Sequence, residues 1–151
     1  MNAGDRAILN ETKLRVRYAE TDQMGVVYHT NHFIWFEVGR VELIRQLGFS
    51  YRDLEREEGR FIAVAEVKCR YRAPVHYDEE VVVRTWLKRV RASVIVFRYE
   101  LLRAGTDTLL AEGETVHMVT DSRLKTAALP EKYLAAFRSA MGGQKQTQEL
   151  H

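Results

Sequence analysis

Between Phe61 and Thr120 the chain runs through four strand-length segments separated by short turns. Parallel neighbours need a crossover of a dozen or more residues, so connections this short predict an antiparallel sheet. In the first segment Phe61, Ala63, Ala65, Val67, Cys69 and Tyr71 alternate with Glu66, Lys68, Arg70 and Arg72. A two-residue period of that kind puts the apolar set on one face, and Pro74 ends the run. Val81 to Val90, Val94 to Leu102 and Leu109 to Thr120 are the other three. Upstream, Leu14, Val16 and Tyr18 alternate with Lys13, Arg15 and Arg17, which predicts a fifth strand there.

Asn31 to Leu47 reads as one long helix. Its apolar residues, among them Phe33, Phe36, Val41, Leu43 and Ile44, cover more than one face, so the helix should be largely buried. Thr30 and Asn31 suit its N-cap and Gly48 its C-terminal stop. Ser50 with Asp53 resembles a capping box for a short helix ending near Gly59, and Pro130 suits the first turn of a last helix reaching about Met141. The expected class is α+β: an antiparallel five-stranded sheet wrapped around one long central helix. Gly39, costly inside a helix, suggests a close approach to the sheet opposite Gly113. The expected organisation is an N-terminal extension over 1–12, one domain over 13–141 and a flexible tail over 142–151.

Cys69 is the only cysteine of the 151 residues, which excludes an internal disulfide and a multi-cysteine metal site. No metal or other cofactor is expected. No apolar run approaches the ~20 residues of a membrane span, and Met1 to Lys13 lacks a signal-peptide core, so a cytoplasmic protein with no integral membrane segment is expected. Ten basic residues face five acidic ones between Arg60 and Arg103, although the chain's net charge is only +2. That surplus is too mild for a duplex DNA binder. It fits solvated strand faces or a ligand with a few phosphates, and no nucleic-acid partner is expected. RNA binding through Arg70 and Arg72 has nothing else to recommend it.

The densest chemistry is Tyr18-Ala-Glu-Thr-Asp22-Gln-Met-Gly25-Val-Val-Tyr28-His29. A carboxylate, an imidazole and two phenols are packed into a strand-to-helix connection. The first N–H groups of a helix lack intrahelical acceptors and favour negative charge before them. A carbonyl held near His29 would be polarised there, and a carboxylate could attack it or deprotonate a water. Asp without a metal is a modest catalyst, so the leaving group should be an easy one. A thiol departs as thiolate without strong acid assistance, which makes a thioester the best-matched substrate.

Tyr18, Glu20-Thr21-Asp22, Gly25-Val-Val-Tyr28-His29 and Trp35-Phe36-Glu37, followed by Arg40 and Glu42, resemble the signature of the hotdog-fold acyl-CoA thioesterases. The likeness is to the 4-hydroxybenzoyl-CoA thioesterase-like group and its relatives associated with the Tol-Pal system. It runs from about Leu14 to Asp121. The resemblance implies a hotdog fold, hydrolysis of an acyl-CoA (or an acyl-carrier-protein thioester) to acid and thiol, and dimers that often form tetramers, with active sites between subunits. It implies Asp22 as nucleophile or general base and His29 as the residue whose backbone N–H polarises the carbonyl, with side-chain assistance in close relatives. Tyr18 matches a tyrosine implicated in that same group, and the resemblance places it with Asp22 and His29 among the catalytic residues. Arg89 and Arg91 are the candidates for the CoA phosphates, and Tyr28 is counted with the substrate-binding residues. Departures are Glu20 where Asp is common, His32 where Tyr is common and Gly39 where Ala is common; His32 bears on the acyl pocket.

Each of these residues has a plainer reading. Asp22 would then bond only nearby amides, His29 would sit in a cap region, and Tyr18 would be strand core. Glu37 is a rival carboxylate, with Arg40 placed to pair with it. His76 and His117 read as surface or strand histidines, Cys69 as inert core, and Trp35 and Trp86 as packing. The competing function is a hotdog module that binds acyl-CoA or acyl carrier protein without turning it over.

Overall fold

The computed structural model describes residues 7–142. Residues 143–151, most of the expected tail, and 1–6 of the expected extension lie outside them. Five strands form one antiparallel sheet: β1 (Asn10–Arg15), β2 (Phe61–Tyr71), β3 (Glu80–Val90), β4 (Val94–Arg103) and β5 (Leu109–Thr120), in the order β1-β3-β4-β5-β2. Helix α1 (Asn31–Gln46) lies across the sheet, α2 (Tyr51–Glu58) precedes β2, and α3 (Glu131–Ala140) closes the core beyond β5. The core gathers Phe36, Leu43 and Ile44 of α1 with Val81, Val83, Phe97, Tyr99 and Leu101 of the sheet.

The capping signals act as expected at α2: the Ser50 hydroxyl accepts from the Asp53 amide at 3.2 Å. Gly48 takes φ 98° just after α1, a conformation that leaves the helix axis.

Strand β1 departs from the expected Leu14–Tyr18. It begins at Asn10, inside the supposed extension, and pairs Glu11 with Arg84 and Lys13 with Val82. Tyr18–Glu20 is a 3₁₀ turn instead. The chain is bent there because the Glu20 carboxylate accepts from the Arg17 amide at 2.8 Å.

Strand β2 is broken by a bulge between Val64 and Glu66. Directly paired residues share a sheet face, so Val64 opposite His117 lies on the helix side, and so do Val67, Cys69 and Tyr71 beyond the bulge. Phe61 and Ala63 fall on the other side, and the six apolar residues expected on one face are split. As an edge strand, β2 leaves Val64, Val67 and Tyr71 exposed.

Both glycines mark close approaches, but not to each other. A Cβ on Gly39 would run into Thr85 Oγ1 and stand 2.9 Å from Val83 Cγ1, so that glycine seats α1 on β3. At Gly113 a Cβ would stand 2.7 Å from Phe36 Cζ and 2.8 Å from the Lys68 carbonyl. Gly113 thus admits the Phe36 ring, which stacks on Tyr99 at 4.4 Å.

The basic surplus is spread over the sheet face away from α1. There Lys88 and Arg72 meet Glu114 and Glu112, each at 2.7 Å, and Lys68 meets Glu66 at 3.3 Å.

Arg40 does not pair with Glu37. It turns inward, 8% exposed, and donates to the hydroxyls of Tyr51 at 3.0 Å and Tyr99 at 3.1 Å. Tyr99 Oη lies 2.6 Å from Thr115 Oγ1, which lies 2.8 Å from His117 Nε2. This polar seam crosses the core. Burial pushes the Tyr51 phenol up to about 12, so it stays neutral. Burial, and then the Arg40 charge, hold the His117 imidazole down at about 3.

Candidate active site

The residues between the turn at Tyr18 and the start of α1 fold into a short hairpin arm. Asp22 N donates to Val26 O at 2.8 Å, Thr21 bridges Val27, and Tyr28 N donates to Glu20 O at 2.8 Å. Gly25 closes the tip with φ 81°, the left-handed conformation a glycine adopts without strain. Val27 N donates to Val75 O at 2.7 Å, which fastens the arm to the segment before β3.

Glu20 anchors the arm to the helix. Buried to 5% exposure, it receives the Arg17 amide on Oε1 and the Trp35 indole N–H on Oε2 at 2.8 Å. Its carbonyl also accepts from Asn31 Nδ2 at 2.9 Å. The sequence marks this residue only as a departure from Asp; its structural role depends on Trp35, fifteen residues away.

Asp22 sits on the arm, partly exposed. Its Oδ1 accepts from the amides of Met24 at 2.8 Å and Val26 at 3.4 Å. The plainer reading therefore accounts for one oxygen. Oδ2 accepts no hydrogen bond among the described residues.

At the other end of the arm, Asn31 N donates to Tyr28 O at 3.0 Å and Phe33 N to Thr30 O at 3.1 Å. The amides of His29 and Thr30 donate to nothing among the described residues. From Val26, the partner of Asp22, to His29 is three residues, roughly 10 Å of extended chain.

His29 is exposed, its imidazole tilted against the Tyr28 ring at 4.5 Å between centroids. Its carbonyl accepts from the Tyr71 hydroxyl at 2.6 Å. Tyr71 belongs to β2, and its ring stands edge-on to His32 at 4.7 Å. Burial, and then the neighbouring Cys69 thiol, push its phenol above the usual range, so the hydroxyl stays protonated.

His32 is 3% exposed. Burial holds its imidazole down at about 4, with the nearby His29 carbonyl pulling weakly the other way. Its Nδ1 forms no well-directed hydrogen bond. Val26, Val27, His29, His32, Tyr71 and Val75 line a cavity of about 290 Å³ beside the helix start. A wider hollow of about 460 Å³ lies on the charged face around Arg98 and Glu112, away from this chemistry.

The remaining expected residues separate. Tyr18 is not strand core: it is 77% exposed, with its ring edge-on to Tyr77 at 5.7 Å. Tyr28 is half exposed beside His29. Arg89 and Arg91 lie at the far end of β3, whereas the arm adjoins its beginning near Glu80. Nine strand residues separate the two ends, roughly 30 Å, so one chain does not bring these arginines to Asp22. Among the described residues, no cluster of His, Cys, Asp and Glu is arranged to hold a metal, and no helix is long and apolar enough to cross a membrane.

A five-stranded antiparallel sheet folded over a helix, with a short hairpin arm leading into that helix, defines a hotdog-fold protein of the thioesterase type. The family model of the Thioesterase-like superfamily matches residues 16–137, and the chain belongs to that family. It is 36% identical to YneP of Bacillus subtilis over 85% of this chain and 90% of that protein. It is 32% identical to the acyl-CoA thioester hydrolase YbgC of Escherichia coli O6:H1, over 83% of this chain and 92% of that one. Among solved structures, the DHNA-CoA thioesterase of Staphylococcus aureus superposes with a TM-score of 0.79 at 34% identity, covering 87% of each chain.

Proposed function

We propose that the chain is an acyl-CoA thioesterase that hydrolyses its substrate to a carboxylic acid and free CoA. The observation that carries this reading is the arm itself. It presents a carboxylate with an uncommitted oxygen at one end and two uncommitted amides at the other. The thioester carbonyl oxygen takes the His29 and Thr30 N–H groups, which strengthen their hold as negative charge develops on it. Asp22 supplies the attack, as nucleophile or as the base that deprotonates water, and the thiolate leaves without a strong acid. Tyr18, exposed at the start of the arm, acts with the catalytic residues, and Tyr28, half exposed before His29, contacts the substrate. The acting unit is 13–141, with β1 extending it back to Asn10, and its acyl-CoA substrate suits a cytoplasmic setting.

A second copy of the chain completes the site. An eleven-residue edge strand exposing Val64, Val67 and Tyr71 is a template for pairing, and β2 of another copy satisfies it. Antiparallel β2–β2 pairing brings the Phe61 end of one subunit against the Tyr71 end of the other. Arg89 and Arg91, at the Phe61 end, then serve the CoA phosphates of the neighbouring subunit. Such dimers are the building block of a homodimer or a homotetramer.

The test is a thiol-release assay over short, medium, long and aromatic acyl-CoAs, with Asp22→Asn beside the wild type. Expected is hydrolysis of at least one thioester, with a fall of about 100-fold or more in the variant. Tight binding without turnover would replace this reading with the binding module, and full activity in Asp22→Asn would remove the carboxylate from the mechanism.

A further inference from the structure

Tyr71 holds a carbonyl that stands just outside the helix. His29 precedes the N-cap Thr30, so its carbonyl takes no part in the helix's own hydrogen bonds, and Phe33 N donates to Thr30 O. The His29 acceptor is filled from a strand 42 residues further along the chain, at 2.6 Å, a short distance for a hydroxyl donor. The ring is held edge-on to both His32 at 4.7 Å and His29 at 6.3 Å.

The His29 carbonyl and the Thr30 N–H belong to one peptide unit. That unit is planar and trans, so fixing the direction of the oxygen fixes the opposite direction of the N–H. Hydrogen bonds through one amide also reinforce each other: a donor on the oxygen polarises the group and makes its N–H a stronger donor. Resting on the thioesterase reading above, we propose that Tyr71 is a positioning residue for the reaction, aiming and strengthening the Thr30 amide as a donor to the developing oxyanion. Its hydroxyl touches no reacting atom. It acts through the peptide it grips, and because it sits on the β2 edge, it links that edge to the chemistry at the helix start.

Tyr71→Phe keeps the ring and removes only the donor. Loss of a whole oxyanion donor costs 10²–10³ in turnover; here the donor remains but is loosened, so kcat falls roughly tenfold. KM, melting temperature and oligomeric state stay at wild-type values. In ¹⁵N-labelled protein without substrate, the Thr30 amide proton moves upfield in the variant. Cys69→Ala removes a thiol beside the Tyr71 hydroxyl but keeps that hydroxyl and its bond to the His29 carbonyl, and leaves kcat unchanged.

Unchanged kcat in Tyr71→Phe, or an unmoved Thr30 resonance, overturns the proposal. A change confined to KM would make Tyr71 a pocket wall, and a matching loss of melting temperature would make it merely structural; either also overturns it. If the wild type hydrolyses no acyl-CoA, the thioesterase reading falls and takes this one with it. An active wild type with an equally active Phe variant overturns this proposal alone.

Discussion

Lowering the pH from 7 to 5 will destabilise this protein partly through two histidines, His32 and His117. Both are buried, at 3% and 0% exposure, and desolvation holds their folded-state pKa values at about 4 and about 3 against 6.5 in the unfolded chain. Between those limits the unfolded chain binds protons that the folded one refuses, so stability falls as pH falls. The neutral forms cost nothing above pH 6.5. The loss begins there and is complete only below the folded values. Working the linkage at pH 5 gives about 2 kcal/mol for each residue, and about 4 kcal/mol for both. The assay is urea unfolding at pH 7, 6 and 5 at fixed protein concentration, followed by tryptophan fluorescence. Other titrating groups contribute a common background, so the informative quantity is the difference between the wild type and His117→Leu or His32→Phe. Each variant should lose about 2 kcal/mol less than the wild type over that interval, whatever its stability at pH 7. Parallel pH dependences for all three proteins would show that these imidazoles accept protons in the folded state, and the desolvation argument would be wrong.

Two further outcomes follow from packing. Gly113→Ala drives a methyl against the Phe36 ring and the Lys68 carbonyl and should cost about 1–3 kcal/mol, read as a lower urea midpoint; wild-type stability would mean that the ring moves aside freely. On the proposed β2–β2 pairing, Val67→Lys puts a charge on the exposed helix-side face of β2 and should shift the protein to monomer in sedimentation. An oligomer of unchanged affinity would place the interface elsewhere.

The strands between 61 and 120 were legible because each repeats a two-residue pattern over ten or more positions, and their ends fall within a residue or so of the pattern. The first strand was not. Leu14 and Val16 carry the alternation toward Tyr18, but no glycine or proline marks the bend that a buried Glu20 carboxylate enforces. The bulge in β2 was hidden for a related reason, since Ala65 is small and fits either side of the pattern. In the candidate site, the composition of the Tyr18–His29 segment supplied Asp22, His29 and both tyrosines of the proposed mechanism. Which groups remain uncommitted was not readable: Asp22 Oδ2 and the His29 and Thr30 amides are identified only by what the others bond. Arg40 shows the limit of local spacing. Glu37 lies within helical reach, yet two tyrosines from distant segments hold the guanidinium instead. Tyr71 carried no signal beyond membership of an apolar face, because its partner is a backbone carbonyl far away in sequence.

The anchoring of Glu20 also bears on the order in which the molecule is made. All its partners, from Arg17 to Trp35, lie within one short stretch of chain, and closing so small a loop costs little entropy. The arm can therefore organise as soon as the first turns of α1 exist. The Tyr71 contact must wait for β2 to join the far edge of the sheet, a closure across forty-odd residues. On the proposed mechanism, a newly made chain would hold its carboxylate in place before its oxyanion donors are aimed, and would gain activity last, at the step that finishes the sheet.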